Sequence, residues 1–173
     1  MKYYAAYGSN LNMEQMAARC PSALPIGTAS INNHSLHFAN QGQGRGLGYL
    51  NIEKDKGKRV PVGIWRIDEQ DERNLDIYEG YPRLYEKKNV RLKVYPFAGE
   101  PFMATAMVYF MPHAVTTPPS PRYYETCEDG YRRFKLDMEY LFDALEEADE
   151  AEGCRASKEV FDRWDATKTE QWA

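Results

Sequence analysis

The fold is decided near the start of the chain, at the stretch Tyr4-Ala5-Ala6-Tyr7-Gly8-Ser9-Asn10-Leu11. Residues 2–6 have the pattern of a short buried strand. Asn12, after the stretch, is a good helix N-cap, and Gln15 lies where a capping box needs it. The sequence therefore predicts a strand that turns at Gly8-Ser9-Asn10 directly into a helix.

This turn has the chemistry of an anion site. A strand that runs into the start of a helix leaves several backbone N–H groups unpaired at one point, and such groups bind anions. Gly8 lets the backbone approach a ligand, while Ser9 and Asn10 can form hydrogen bonds from their side chains. The same residues also fit a plain strand-to-helix turn, so local chemistry leaves both interpretations open.

Four further stretches have the residue pattern of strands. They cover residues 27–39, 60–67, 89–95 and 102–110. Asn32-Asn33 predicts a turn within the first of them, and Trp65 lies in a β-rich run that predicts a central strand. The last two alternate like the arms of a hairpin. Most of these strands are therefore short and joined through hairpins.

Two helices are predicted after the first one. Asp68 caps an acidic helix over residues 69–78, which Gly80 ends. A long helix over residues 130–148 carries apolar side chains at helical spacing, and a proline-rich loop, residues 112–121, precedes it. These elements predict an α+β domain, a small mixed, mainly antiparallel β-barrel or bent sheet with helices packed around it.

The length of 173 residues fits one domain. We assign residues 1–148 to it and expect the C-terminal extension, residues 149–173, to dock on the same domain, because Trp164 and Trp172 are large and apolar. The net charge is −4, and the spread of Lys and Arg along the chain argues against a nucleic-acid partner. No stretch approaches the roughly 20 apolar residues of a membrane span. Without a signal-peptide pattern, we expect a cytoplasmic location.

The residue pattern favours neither a metal site nor a cofactor. The three cysteines are odd in number and lack C-x-x-C spacing, which argues against a disulfide framework and a zinc site. His34 and His37 would point to opposite faces of a strand. Glycine recurs at alternate positions through residues 42–48 without G-x-G-x-x-G spacing, so we expect a loop that is mobile or passes close to a ligand.

Glu79 is the strongest candidate for acid/base chemistry. It follows the predicted helix over residues 69–78, beside Gly80 and between Tyr78 and Tyr81. A helix C-terminus disfavours an anion, and the tyrosines exclude water, so both effects raise the pKa of this carboxyl toward the working range of a general base. A solvated glutamate at a turn is the alternative interpretation.

The proline-rich segment Pro118-Pro119-Ser120-Pro121-Arg122-Tyr123-Tyr124 contains a third candidate. Its prolines fix the backbone, so that a tyrosine hydroxyl could reach a pocket, although a rigid connector has the same pattern. The context of Ser9 lacks the G-x-S-x-G of a nucleophile elbow, and no Ser/His/Asp or Cys/His arrangement can be proposed. The remaining enzyme classes are those that need one carboxylate and an oxyanion cradle.

These three motifs, in this order, resemble the γ-glutamylcyclotransferase family, also called AIG2-like. Residues 4–11 are similar to its Y-x-A-Y-G-S-N-L signature, and residues 75–85 to the helix end L-D-x-x-E-G-x-P-x-x-Y that carries the family's catalytic glutamate, here Glu79. The segment from Pro118 to Tyr123 is similar to its P-P-S-P-x-Y loop. Where the family often has Gly-Leu, this chain has Lys135-Leu136.

The resemblance implies a small mixed barrel and a metal-independent enzyme, a lyase formerly classed as an acyltransferase. Such an enzyme closes a γ-glutamyl group to 5-oxoproline and releases an amine or amino acid. Glu79 would be the general acid/base, and Tyr123 would contact the substrate. The residues that would form the substrate cradle, chiefly through backbone N–H groups, are Tyr7, Gly8, Ser9, Asn10 and Leu11.

Three questions stay open at this point. The same pocket could belong to a binding module that holds a γ-glutamyl or other small carboxylate ligand without turnover. The leaving group could be a free amino acid, a lysine-derived amine, an amine on an antibiotic precursor, or the cysteinylglycine of glutathione. The oligomeric state is equally open, and a homodimer is compatible with the sequence.

Overall fold

A computed structural model of the chain describes residues 1–42 and 47–153. Within these residues, six strands form one sheet. They are β1 (Lys2–Ala6), β2 (Leu24–Asn40), β3 (Tyr49–Ile67), β4 (Glu86–Pro96), β5 (Phe102–Phe110) and β6 (Val115–Thr116). The helices are α1 (Met13–Arg19), α2 (Glu69–Glu79), α3 (Pro121–Phe134) and α4, residues 139–153, and a 3-10 turn, Ser9–Leu11, lies between β1 and α1.

The sheet closes into a five-stranded barrel. Its strand order is β3-β1-β5-β4-β2-β6, and β2 also pairs with β3, which joins the two ends and leaves β6 as an addition. β1 runs parallel to β5, whereas the other pairs are antiparallel. The predicted mixed, mainly antiparallel barrel with surrounding helices is therefore confirmed.

Both faces of β3 carry buried core residues. Val60, Val62 and Ile64 are fully buried, as their alternation requires for one face of a strand. On the other face, Trp65 packs edge-on against Phe134 of α3, with ring centroids 5.5 Å apart. A strand buried on both faces is the central strand that the sequence predicted.

Three strands, β2, β3 and β4, are longer than predicted. β3 begins at Tyr49, and its residues 49–54 pair with β2 ahead of the predicted segment. This extension was missed because the charged residues 53–59 are largely exposed. The turn predicted at Asn32-Asn33 does not break the segment, because β2 runs through these residues with a bulge. Asn33 has a φ of 57°, and its side chain accepts a hydrogen bond of 3.1 Å from the Gly57 amide across the ladder.

The predicted single helix over residues 130–148 is wrong, because two helices occupy this region. α3 begins at Pro121, where the Ser120 hydroxyl accepts a hydrogen bond from the Tyr123 amide, so Tyr123 lies on a helix rather than in a loop. α3 ends at Phe134, and its C-cap Lys135 adopts the left-handed conformation with a φ of 54°. Glycine is the usual residue at such a position, so a lysine there gave no sequence signal that the helix ends.

Other predictions have definite outcomes. The capped helix is confirmed as α2, in which Asp68 and Asp71 form a capping box and Gly80 is the left-handed C-cap. The hairpin is confirmed as β4 and β5. No helix in the described residues is both long and apolar enough to span a bilayer. Residues 43–46, Trp164 and Trp172 lie outside the described residues, so docking of the C-terminal extension stays a prediction.

Candidate active site

A cavity of about 300 Å³ opens where β1 runs into the turn before α1. Glu79 lines it together with Tyr7, Gly8, Ser9 and Asn10 on one side and Tyr123 on another. These side chains come from β1 and its turn, the end of α2 and the first turn of α3. The structure thus brings the three motifs of the sequence together at one cavity.

The turn places several backbone amides beside this cavity. The Leu11 amide donates a hydrogen bond of 2.9 Å to the Gly8 carbonyl, and the Asn12 amide donates one of 3.0 Å to the Ser9 carbonyl. The amides of Gly8, Ser9 and Asn10 therefore precede the first hydrogen bond of the helical turn, where N–H groups have no intrahelical partner. We call these three amides the cradle.

Leu11, which the sequence also placed in the substrate cradle, is not among the residues that line this cavity, and a direct role for it at the substrate stays a prediction. Its amide is bonded to Gly8, and its side chain is fully buried in the core. It packs against Gly130 of α3, where an added Cβ would lie only 2.5 Å from the Leu11 Cβ and 2.8 Å from its carbonyl carbon. Leu11 therefore supports the turn from behind, and Gly130 permits the close approach of α3.

Glu79 is tied to the turn through the side chain of Asn10. The Asn10 Nδ2 donates hydrogen bonds of 2.8 Å to Glu79 Oε1 and 2.9 Å to the Tyr4 hydroxyl. Arg19 at the end of α1 donates to Asn10 Oδ1. Because arginine has no acceptor, Oδ1 must face Arg19, which leaves the Asn10 amide nitrogen for the carboxylate.

Burial and the polar neighbours of Glu79 shift its pKa in opposite directions. Burial raises the pKa of its carboxyl to about 7, while the Arg19 guanidinium and the Asn10 hydrogen bond act to lower it. Burial has the larger effect, because the carboxyl loses water in a wall built of tyrosines. Arg19 itself stacks on Tyr78, with its guanidinium carbon 3.5 Å from the ring centroid.

Tyrosines make up much of the wall, and the sequence pointed to few of them. The sequence had named Tyr78 beside Glu79, and the cavity residues that it missed are Tyr4, Tyr49, Leu50, Leu84, Tyr85 and Tyr109. Tyr4 and Tyr85 lie inside the two quoted motifs, which was a usable signal. Tyr109 comes from β5, with no local signal, and its hydroxyl donates to Asp76 Oδ1 at 2.6 Å, which fastens α2 to the barrel.

Tyr7 and Tyr123 line the cavity, yet their hydroxyls also bind the protein. The Tyr7 hydroxyl donates to the Tyr109 carbonyl at 2.8 Å. The Tyr123 hydroxyl accepts a hydrogen bond of 3.1 Å from the Leu50 amide. A Cβ at Gly8 would lie 3.1 Å from that hydroxyl, so the missing side chain at Gly8 makes room for Tyr123.

Neither histidine of β2 lies in this cavity. His34 contacts the Lys88 ammonium, and His37 contacts Ser35 and Glu147. Among residues 1–42 and 47–153, no three His, Cys, Asp or Glu side chains are grouped as metal ligands would be. Independence from a metal stays a prediction.

The comparison with known proteins decides the family. The family model for gamma-glutamyl cyclotransferase, AIG2-like, matches residues 4–133. The chain belongs to this family. The γ-glutamylcyclotransferases of Bos taurus and Homo sapiens are each 30% identical to it over 142 residues, which is 79% of this chain and 73% of each relative.

Solved structures agree with this assignment. A structure of a gamma-glutamyl cyclotransferase superposes with a TM-score of 0.69 at 28% identity and covers 83% of this chain and 85% of its own. The resemblance found in the sequence and the barrel fold are both confirmed. The protein is an enzyme of the γ-glutamylcyclotransferase type, which forms 5-oxoproline from a γ-glutamyl group.

Proposed function

We propose that Glu79 is the general acid/base of γ-glutamyl ring closure in this cavity, and that the cradle binds the substrate's carboxylate and the developing oxyanion. One observation carries the proposal. The Glu79 carboxyl faces the cradle across a shared cavity and is bonded to Asn10 of the same turn at 2.8 Å. The catalytic group and the anion-binding amides are thereby fixed relative to one another.

The reaction needs no nucleophile from the enzyme. The α-amine of the γ-glutamyl group attacks its own γ-carbonyl carbon, a five-membered ring closes, and the bond to the distal nitrogen breaks. Well-oriented intramolecular attack reaches effective molarities of about 10⁵–10⁸ M. The protein has to fold the substrate, accept protons from the attacking nitrogen and return them to the leaving nitrogen. The α-ammonium loses two protons on becoming the ring N–H, and the leaving nitrogen gains two on becoming an ammonium.

Glu79 is suited to both proton transfers. With its pKa raised to about 7, the carboxyl is partly ionised and partly protonated near neutral pH. The carboxylate can accept a proton from the α-ammonium, and the resulting acid can donate it to the departing nitrogen. A group with a pKa near the working pH performs both transfers better than an ordinary glutamate.

The cradle supplies donors at the other end of the substrate. Backbone N–H groups that are already fixed stabilise negative charge without reorganisation during the reaction. Tyr7 and Tyr123 complete the wall around the substrate, and Tyr123 would contact it. Binding of one carboxylate at the cradle would hold the γ-glutamyl group folded, with its α-amine near its own γ-carbonyl.

Several finer points stay predictions of the sequence. They are a cytoplasmic location, action without a metal or cofactor, assembly as a homodimer, and a place in glutathione metabolism. The leaving group stays open between an amino acid, an amine and a dipeptide.

Product release tests the proposal. Purified protein would be incubated with γ-glutamyl-amino acids, γ-glutamyl-amines and glutathione, and 5-oxoproline would be measured. We expect release from at least one of these classes. Saturable binding of a γ-glutamyl compound with no 5-oxoproline from any class would favour the binding module instead.

A further inference from the structure

The hydroxyls of the buried cavity tyrosines are mostly engaged with the protein. Tyr7 donates to the Tyr109 carbonyl, Tyr109 donates to Asp76, and Tyr4 accepts a hydrogen bond from Asn10. These bonds satisfy groups that would otherwise be buried without a partner. These hydroxyls therefore stabilise the fold through hydrogen bonds within the protein.

Tyr85 is different. It lies between α2 and β4, six residues after Glu79 in the sequence, and it is only 8% exposed. Across residues 1–42 and 47–153, no group gives or takes a hydrogen bond at its hydroxyl. Nor is the Tyr85 hydroxyl sealed like that of Tyr131, whose oxygen is enclosed without a partner, because Tyr85 lines the cavity.

Because the Tyr85 hydroxyl makes no hydrogen bond to the described residues and is not among their enclosed atoms, it can bind a ligand in the cavity that Tyr85 lines. The surroundings also define what this hydroxyl can do. Burial and the nearby Glu79 carboxylate raise the pKa of Tyr85 well above its ordinary value. It therefore stays protonated at working pH and can donate a hydrogen bond.

We propose that Tyr85 is a catalytic residue whose hydroxyl donates a hydrogen bond to the γ-carbonyl oxygen of the bound γ-glutamyl group. The inference rests on the proposed function. Glu79 would exchange protons with both nitrogens at the reacting carbon, and Tyr85 lines the same cavity near enough for the Glu79 charge to act on it. A donor at this place can reach the oxygen of that carbon. Its hydrogen bond strengthens as the carbonyl oxygen becomes an oxyanion, and so it lowers the barrier.

The test is Tyr85→Phe in the full chain, with kcat and KM measured by 5-oxoproline release. Removal of one oxyanion donor costs roughly 10²–10³ in kcat, so we expect a loss of about that size with a smaller change in KM. The acid limb of the pH profile should stay at the wild-type pH, because Glu79 keeps its partners. The melting temperature should not fall, because the variant loses no hydrogen bond within the protein.

Tyr131→Phe is the matched control. It removes an equally unpartnered hydroxyl that lies outside the cavity, so kcat should equal that of the wild type. Tyr85→Phe with wild-type kcat would overturn the inference, and so would a loss confined to KM or one accompanied by lower stability or a shifted acid limb. A wild-type protein that releases no 5-oxoproline would overturn the proposed function as well, which separates the two failures.

Discussion

Asn10 and Glu79 are 69 residues apart in the sequence, yet the Asn10 Nδ2 donates a hydrogen bond of 2.8 Å to Glu79 Oε1. Asn10 belongs to the turn that forms the cradle, and Glu79 is the last residue of α2. This bond therefore joins the anion-binding side of the cavity to its acid/base. Changes to the neighbours of either residue should be visible in the titration of Glu79.

The pH dependence of kcat/KM should show an acid limb. Glu79 must be ionised in the free enzyme to accept a proton from the α-ammonium, and its pKa is raised to about 7 by burial. We expect kcat/KM to rise with pH up to about 7 and then level off. A limb near 4.5, the ordinary value for glutamate, would contradict the burial that the structure shows.

Removal of the Arg19 charge should move this limb. The Arg19 guanidinium lowers the pKa of Glu79, so Arg19→Gln should shift the acid limb of kcat/KM to higher pH. The matched control is Arg73→Gln, because Arg73 is exposed on α2 and donates to Gln70 instead. An unmoved limb in Arg19→Gln, or an equal shift in both variants, would count against this assignment.

The free energy of unfolding should also depend on the raised pKa of Glu79. The folded protein holds the Glu79 proton more tightly than the unfolded chain, so this group's contribution to the free energy of unfolding falls as pH rises from 4.5 to about 7. Glu79→Gln removes that contribution. The difference in free energy of unfolding, variant minus wild type, should therefore be larger at pH 8 than at pH 4, by at most about 3 kcal/mol. Urea unfolding of both proteins at pH 4 and pH 8 measures this change. A stability difference that is the same at both pH values would contradict the raised pKa of Glu79.

Gly130→Ala should loosen the turn. The added methyl group would meet the Leu11 Cβ at 2.5 Å and the Leu11 backbone at 2.8 Å, so α3 or the turn must move. Overpacking of this kind costs about 1–3 kcal/mol, and we expect a lower melting temperature and weaker substrate binding. Glu125→Ala, an exposed position on the same helix, is the control. Equal melting temperatures for both variants would refute the close contact.

Local signals in the sequence predicted much of the fold and part of the site. Asp68 and Gly80 mark the two ends of α2, so the position of Glu79 at its C-terminal end followed directly. The turn after β1 was equally clear from its glycine and the Asn12 cap. These features depend on residues a few positions apart, which is the range over which capping and turn chemistry act.

Contacts between distant segments could not be predicted in this way. Arg19 and Tyr109 reach the surroundings of Glu79 from α1 and β5, and only the closed barrel brings these elements together. Leu11 faces the core because α3 packs behind the turn at Gly130. The break at Lys135 was missed because a lysine occupies a conformation in which glycine is usual.

The most direct measurement is the rate of 5-oxoproline release by Glu79→Gln on the best γ-glutamyl substrate, beside Glu86→Gln, which alters an exposed carboxyl of β4. The glutamine keeps the shape of the side chain but can neither accept nor return the proton. We predict a loss of at least about 10² in kcat for Glu79→Gln and none for Glu86→Gln. Wild-type turnover by Glu79→Gln would contradict the assignment of Glu79 as the acid/base.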